Sequence, residues 1–140
     1  MTSTNFEEYA AYYLERIPGD ENACFALVEA PVAVVPLLTS AFRFESDAAK
    51  RSAILNILWQ RRDPSTIPVL AEGLRDAAPS VWKEALDGLV TIGGPQSTAA
   101  IEAARSRQFD SEDDGSQFCE FLDEALEQLR LGFFGTKEIE

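Results

Sequence analysis

The stretch "VPLLTSAFR" (35–43) returns 32 residues later as "IPVLAEGLR" (67–75). Pro36 falls on Pro68, Leu38 on Leu70, Phe42 on Leu74 and Arg43 on Arg75. Without a gap the match runs on: Ala53 falls on Ala85, Ile54 on Leu86, Ile57 on Leu89 and Leu58 on Val90. A third copy follows. Asp63-Pro64 matches Gly94-Pro95 at a shift of 31, which brings Leu70 onto Ile101. Its second half returns at a shift of 40, with Ala125, Leu126 and Leu129 on Ala85, Leu86 and Leu89. The third copy therefore holds eight or nine extra residues, and these are the acidic run "QFDSEDDGSQF" (108–118). A period of this length with helical spacing inside it predicts stacked pairs of helices, each burying its apolar face against its neighbours.

The spacing of apolar residues is helical along the whole chain, and no alternating strand pattern with a hairpin turn is present. Phe6, Tyr9, Tyr13 and Ile17 form one stripe, ended by Pro18-Gly19. Further stripes are Cys24, Leu27 and Val28; then Val34, Leu37, Leu38, Ala41 and Phe42; then Ala49, Ala53, Ile54, Ile57 and Leu58. Pro36, Pro68 and Pro79 stand near helix starts, where a missing N–H costs little. Gly93-Gly94 is suited to end a helix through a left-handed residue. About eight short helices result. The expected fold is all-α, an α-α superhelix: a short α-solenoid of about four helical hairpins. Residues 1–30 are read as an N-terminal capping helix pair, 31–62 as the first repeat and 63–94 as the second. Residues 95–131 are the third repeat, with an acidic inter-helix insert at 108–117, and 132–140 are a tail carrying Phe133 and Phe134. Those two rings cap the end or make a contact.

Charge and composition narrow the function. The net charge is −12, and it is uneven. Residues 1–30 hold six acids and one base, residues 31–109 eight acids and nine bases, residues 110–140 ten acids and two bases. Phosphates repel such a chain, so no nucleic-acid partner is expected. A protein with a basic surface is the better match. No apolar run reaches the roughly 18 residues of a membrane helix. Nothing at the start reads as a secretory signal, so a soluble cytoplasmic protein with no membrane partner is expected. There is no histidine, which removes the usual general base and the Ser/His and Cys/His nucleophile pairs. Cys24 and Cys119 lie in apolar helical text and read as small core residues. No catalytic residue, metal ligand set or cofactor is expected.

The segment "DAAPSVWKEALDGLVTIGGPQSTAAIEAA" (76–104) resembles the short HEAT-like repeat of the type found in phycobiliprotein lyases and many bacterial proteins. The residues that carry the likeness are Asp76, Pro79, Val81, Lys83, Ala85, Leu89, Ile92 and Gly93. The first copy departs from it, with Gln60 and Arg61 in place of the Ile-Gly ending, and Trp82 takes a position that is basic in the pattern. The resemblance implies an α-solenoid whose second helices line a concave face.

Several residues are candidates for contact. Trp59 aligns with Thr91 and Trp82 with Lys50, so both indoles are expected at a surface, where Trp anchors interfaces. Lys50, Arg51 and Lys83 start second helices. A ladder of bases there takes a carboxylate, or it simply pairs with Glu45, Asp47, Glu84 and Asp87. Glu112, Asp113 and Asp114 are the acidic contact candidates. As a calcium loop the acidic run fails: with Asp110 first, the twelfth place that supplies a bidentate Glu is Phe121. A solvated loop capping the next helix through Asp114 or Ser116 is the expectation.

Three classes of function remain. The first is a non-catalytic protein-binding module, such as a bacterial immunity or inhibitor protein neutralising a basic toxin. The second is a phycobilin lyase-type subunit, as the resemblance implies. The third is a structural scaffold subunit. Whether copies of the chain associate is left open.

Overall fold

Carboxylates and prolines punctuate the chain into helices. A computed structural model describes residues 2–132; Phe133, Phe134 and the rest of the tail lie outside the described residues. The helices are α1 (Thr2–Leu14), α2 (Glu21–Glu29), α3 (Val34–Phe44), α4 (Ala48–Gln60), α5 (Ile67–Gly73), α6 (Pro79–Ile92), α7 (Gly94–Ala103) and α8 (Glu112–Leu131). Short 3-10 turns precede α5 (Pro64–Thr66) and follow α7 (Ala104–Ser106), and no strand is present among the described residues. Asp20 caps α2 by accepting from Asn22 N at 2.9 Å, and Asp47 caps α4 by accepting from Lys50 N at 2.9 Å. Each cap satisfies an N–H that the first helical turn leaves free. Pro79 opens α6, as its fixed φ allows. Gly93 closes α6 at φ +71°, a left-handed value that favours glycine.

Successive helices pair as α1/α2, α3/α4, α5/α6 and α7/α8. The second helices pack in series, α2 on α4, α4 on α6 and α6 on α8, while α1 touches α3 and α5 touches α7. This is the all-α, two-layered superhelix that the repeats predict. One core runs through it. Leu27, Leu38, Ile54, Leu58, Leu70, Leu89, Ile101, Phe118 and Leu122 are all fully buried, and they come from every helix except α1.

The tightest junction joins α4 to α5 and α6, and two glycines permit it. A Cβ on Gly88 would lie 2.7–2.8 Å from Cβ, Cγ and Cδ1 of Trp59. A Cβ on Gly73 would lie 2.7 Å from Leu55 Cδ1 and 2.9 Å from Ala85 Cβ. No side chain fits at either place without moving a helix.

Arginines tie the hairpins together across these junctions. Arg51 on α4 holds Asp76, which precedes α6, through two hydrogen bonds of 2.8 and 2.9 Å. Its third nitrogen donates to the Ser46 carbonyl at 2.8 Å and the Glu45 carbonyl at 3.2 Å, beyond the end of α3. Arg61 reaches back to α2 and donates to the carbonyls of Leu27 (3.0 Å) and Val28 (2.9 Å). Arg107 reaches back to α5 and donates to the Leu74 carbonyl at 2.6 Å. On the first-helix side, Arg43 meets Glu72 at 3.0 and 2.5 Å. The departure of the first copy from the Ile-Gly ending thus has a physical role, because a glycine at position 61 could not cap α2. It has a cost too. Arg62 adopts φ +58°, the conformation that Gly94 (φ +90°) takes without strain in the next copy.

Three expectations are corrected. The first stripe is shifted: Tyr9 is 37% exposed, Ala10 is the buried residue, and Ile17 is buried beyond the helix end at Leu14. Cys119 is exposed, because α8 buries Phe118, Leu122 and Ala125 and position 119 is turned away from that face; Cys24 is half-buried. The acidic run is not a loop at 108–117. Ser111 is the N-cap, accepting from Asp114 N at 3.3 Å, and Glu112, Asp113 and Asp114 form the first turn of α8. Acids there meet the positive end of the helix dipole, which is why the helix extends into them.

Two outcomes test this account. Gly88→Ala is expected to destabilise the chain by about 2 kcal/mol, since the overpacking against Trp59 outweighs the roughly 1 kcal/mol of helix propensity that alanine gains; urea unfolding read by Trp fluorescence measures it. The second concerns acid. Burial pushes the Asp76 carboxyl up, but the Arg51 hydrogen bonds, the Ala78 N–H and the nearby arginine charges outweigh it and hold it below its usual value. A carboxylate depressed in the folded state contributes its full stability above the unfolded value of about 3.9 and loses it as pH falls through the folded value. Asp76→Asn is expected to cost about 2–4 kcal/mol near neutral pH and to flatten the fall of the urea midpoint below about pH 4. Parallel profiles for both proteins would remove Asp76 from the acid response.

Candidate functional site

The second-helix layer carries a polar ladder. Ser52 Oγ donates to the Ser80 carbonyl at 3.3 Å, and Asn56 Nδ2 donates to Glu84 Oε2 at 2.8 Å. The Trp59 indole N–H donates to that same Glu84 oxygen at 2.7 Å. Gln60 Nε2 donates to Asn56 Oδ1 at 2.5 Å. Glu84 is thus fixed by two neutral donors and has no basic partner among the described residues. One turn further along α6, Asp87 has its carboxyl pushed up by desolvation and by the charge of Glu84. The ladder holds α4 and α6 in register and leaves two carboxylates on its rim.

The tryptophans behave differently from each other. Trp59 is half-buried, packed on Gly88 with its N–H satisfied by Glu84. Trp82 is only 2% exposed, which corrects the expectation of a surface indole. The reason is the next hairpin. α8 lays Phe118 edge-on at 4.9 Å and Phe121 at 5.4 Å against the indole, whereas the aligned Lys50 meets no aromatic neighbour of this kind. Alignment of one repeat on another does not show what the following hairpin brings.

The basic ladder is also corrected. Arg51 is committed to Asp76 and to backbone carbonyls, with 18% of its side chain exposed. Lys83 lies over rings, its Nζ 4.9 Å from the Phe121 centroid and 5.7 Å from that of Trp82. Lys50 is half-buried. None of the three forms an ion pair with the carboxylate of Glu45, Asp47, Glu84 or Asp87 among the described residues. No ladder of free bases results.

The acids are presented outward. Glu112, Asp113 and Asp114 are exposed, as are Glu120, Asp123, Glu124 and Glu127 further along α8. Asp123 meets Arg105, and Glu127 meets Arg130. Glu112, Asp113, Asp114, Glu120 and Glu124 have no basic partner among the described residues. Two predicted residues do come together: Trp82 and Asp114 line a cavity of about 340 Å3 with Pro79, Phe109 and Asp110. Glu112 and Asp114 stand on a helix and do not wrap a loop, and no group of three or more Cys, Asp or Glu is placed to hold a metal ion among the described residues. Nor is any described helix long and apolar enough to cross a membrane.

A family model for HEAT repeats matches residues 34–113, more than half of the chain. The chain belongs to the HEAT-repeat family. No curated protein and no solved structure gives a significant match. HEAT repeats mediate protein–protein interaction, and their fold is typically a scaffold without catalysis. In this HEAT-repeat chain the match covers α3 to α7 and reaches the first residues of α8. The aromatic cluster on Trp82 falls largely beyond it. Phe109, Asp76 and Glu84 are the residues that the sequence reading missed as organisers. Asp76 stands before Pro79 in a turn, a pattern that marks a capping carboxylate; Phe109 lies in a connection with no repeat signal.

Trp82→Ala is expected to cost about 3–5 kcal/mol of stability. Trp59→Phe, which keeps the packing and loses one hydrogen bond, is expected to cost about 1–2 kcal/mol. Denaturant midpoints measure both, and a neutral Trp82→Ala would show that α8 does not depend on the indole.

Proposed function

We propose that this HEAT-repeat chain is a non-catalytic module that captures a protein with a basic surface through the outward side of α8. In its sharpest form the reading is an inhibitor or immunity protein, which masks the working surface of a basic toxin. The observation that carries it is the row of α8 carboxylates. Five of seven lack a basic partner among the described residues, and all seven are exposed. The committed state of Arg51 and Lys83 favours the same direction, since it withdraws two of the three bases that the second-helix layer could have offered to an acidic partner.

Magnitudes shape the mechanism. A single exposed ion pair contributes only about 0–1 kcal/mol. A row of them steers encounter and raises the association rate, and apolar contact must supply the rest of the affinity. Beside the row, Asp110 and Asp114 line a cavity whose Phe109 ring is already covered by this chain's own Arg107 at 4.3 Å, so carboxylates are what it offers to one Lys or Arg side chain of the partner.

Partner isolated from native cells on the immobilised chain is expected to be basic and to bind more slowly as salt rises. Reversing Asp113 and Asp114 to Lys, or Glu120 and Glu124 to Lys, is expected to lower the association rate constant at least tenfold while circular dichroism stays unchanged. Equal association by both variants would overturn the reading.

A further inference from the structure

The first-helix layer holds a site of opposite charge. Between the C-terminal ends of α5 and α7 lies a cavity of about 330 Å3. Ala71, Ala100 and Ala103 line it together with Arg75 and Arg107. No Asp or Glu lines it, in a chain whose net charge is −12.

The arginines elsewhere are mostly engaged. Arg16, Arg43, Arg51, Arg105 and Arg130 each meet a carboxylate. Arg61 is seated on two carbonyls. Arg75 and Arg107 have no carboxylate within ion-pair distance among the described residues. The acids near them are taken: Glu72 is held by Arg43, and Asp76 is held at both oxygens by Arg51. Capping of α5 accounts for one nitrogen of Arg107, which donates to the Leu74 carbonyl, and its guanidinium lies over the Phe109 ring at 4.3 Å; neither contact uses its remaining N–H groups. It does not account for Arg75, whose side chain makes no hydrogen bond among the described residues, nor for the acid-free lining. Arg107 is half-buried, and burial pushes its guanidinium down, with the charge of Asp76 opposing. An arriving anion would relieve that cost.

We infer that this cavity binds a compact organic anion, a carboxylate or phosphate monoester, with its head on Arg75 and Arg107 and a short aliphatic tail on the alanines. A guanidinium matches either head through paired N–H donors. The volume is at the small end of ligand pockets, which span about 300–1,000 Å3, so the tail is limited to a few carbons.

The test uses the full chain titrated with butyrate, butyl phosphate and, as a charge-reversed control, butylamine, followed by amide and arginine side-chain NMR. Saturable shifts are expected at Arg75, Ala100, Ala103 and Arg107 with at least one of the two anions and none with butylamine. Arg75→Gln and Ala103→Leu, both at exposed positions, are expected to weaken the bound anion at least tenfold with unchanged thermal midpoints. Unaltered affinity in Arg75→Gln, butylamine binding as well as the anions, or shifts confined to α8 would overturn the site. A glutamate-rich hexapeptide that binds the cavity more tightly than either small anion would overturn the small-molecule assignment. These two variants leave the α8 carboxylates intact, so capture of a basic partner by them is expected to match the parent chain.

Discussion

The approach of α4 to α6 is the constraint on which the rest of the stack depends. Backbone distance there is set by the missing Cβ of Gly88, against which the Trp59 side chain is pressed. The same tryptophan hydrogen-bonds Glu84, and Glu84 also takes Asn56. One contact therefore fixes both the separation and the register of two helices. Gly73 does the same service between α5 and the α4–α6 pair, through Leu55 and Ala85. With the central pair placed, α2 and α8 can each pack on an outer side of it.

Charge has two separate uses in this chain. Inside, arginines act as struts: Arg51, Arg61 and Arg107 reach carbonyls near helix ends, where intrahelical donors run out. A planar guanidinium suits that work because it spreads donors over several acceptors. Outside, the carboxylates of α8 are left to solvent. The net charge of −12 thus comes from the two ends of the chain, −5 from residues 1–30 and −8 from residues 110–140, while the middle is close to neutral.

The hairpin architecture was legible because every copy repeats its own apolar spacing. Val34, Leu38 and Phe42 are buried as their spacing requires, and so are Ile54, Ile57 and Leu58. The proline and glycine punctuation was legible as well, since it acts within a single turn of chain. What failed was reading one copy's surface from another copy. Trp82 aligns with Lys50, yet the neighbour on Trp82 is α8 with two phenylalanines. Arg51 aligns with Lys83, yet only Arg51 finds Asp76. Such contacts depend on the adjacent hairpin, which periodicity within a repeat does not encode. The acidic run was misread as a loop for a related reason: most of the insertion lengthened a helix, and only a small part of it the connection.

Every cross-hairpin tie described reaches one unit along the stack and no further. Arg61 joins the second hairpin to the first, Arg51 the second to the third, and Arg107 the fourth to the third. No tether among these bridges two junctions at once. Cooperativity in such a chain is a nearest-neighbour property. The middle hairpins are clasped on both flanks, and the outermost helices on one. α8, which displays the acids, is one of those outer helices, with a single neighbouring hairpin to hold it.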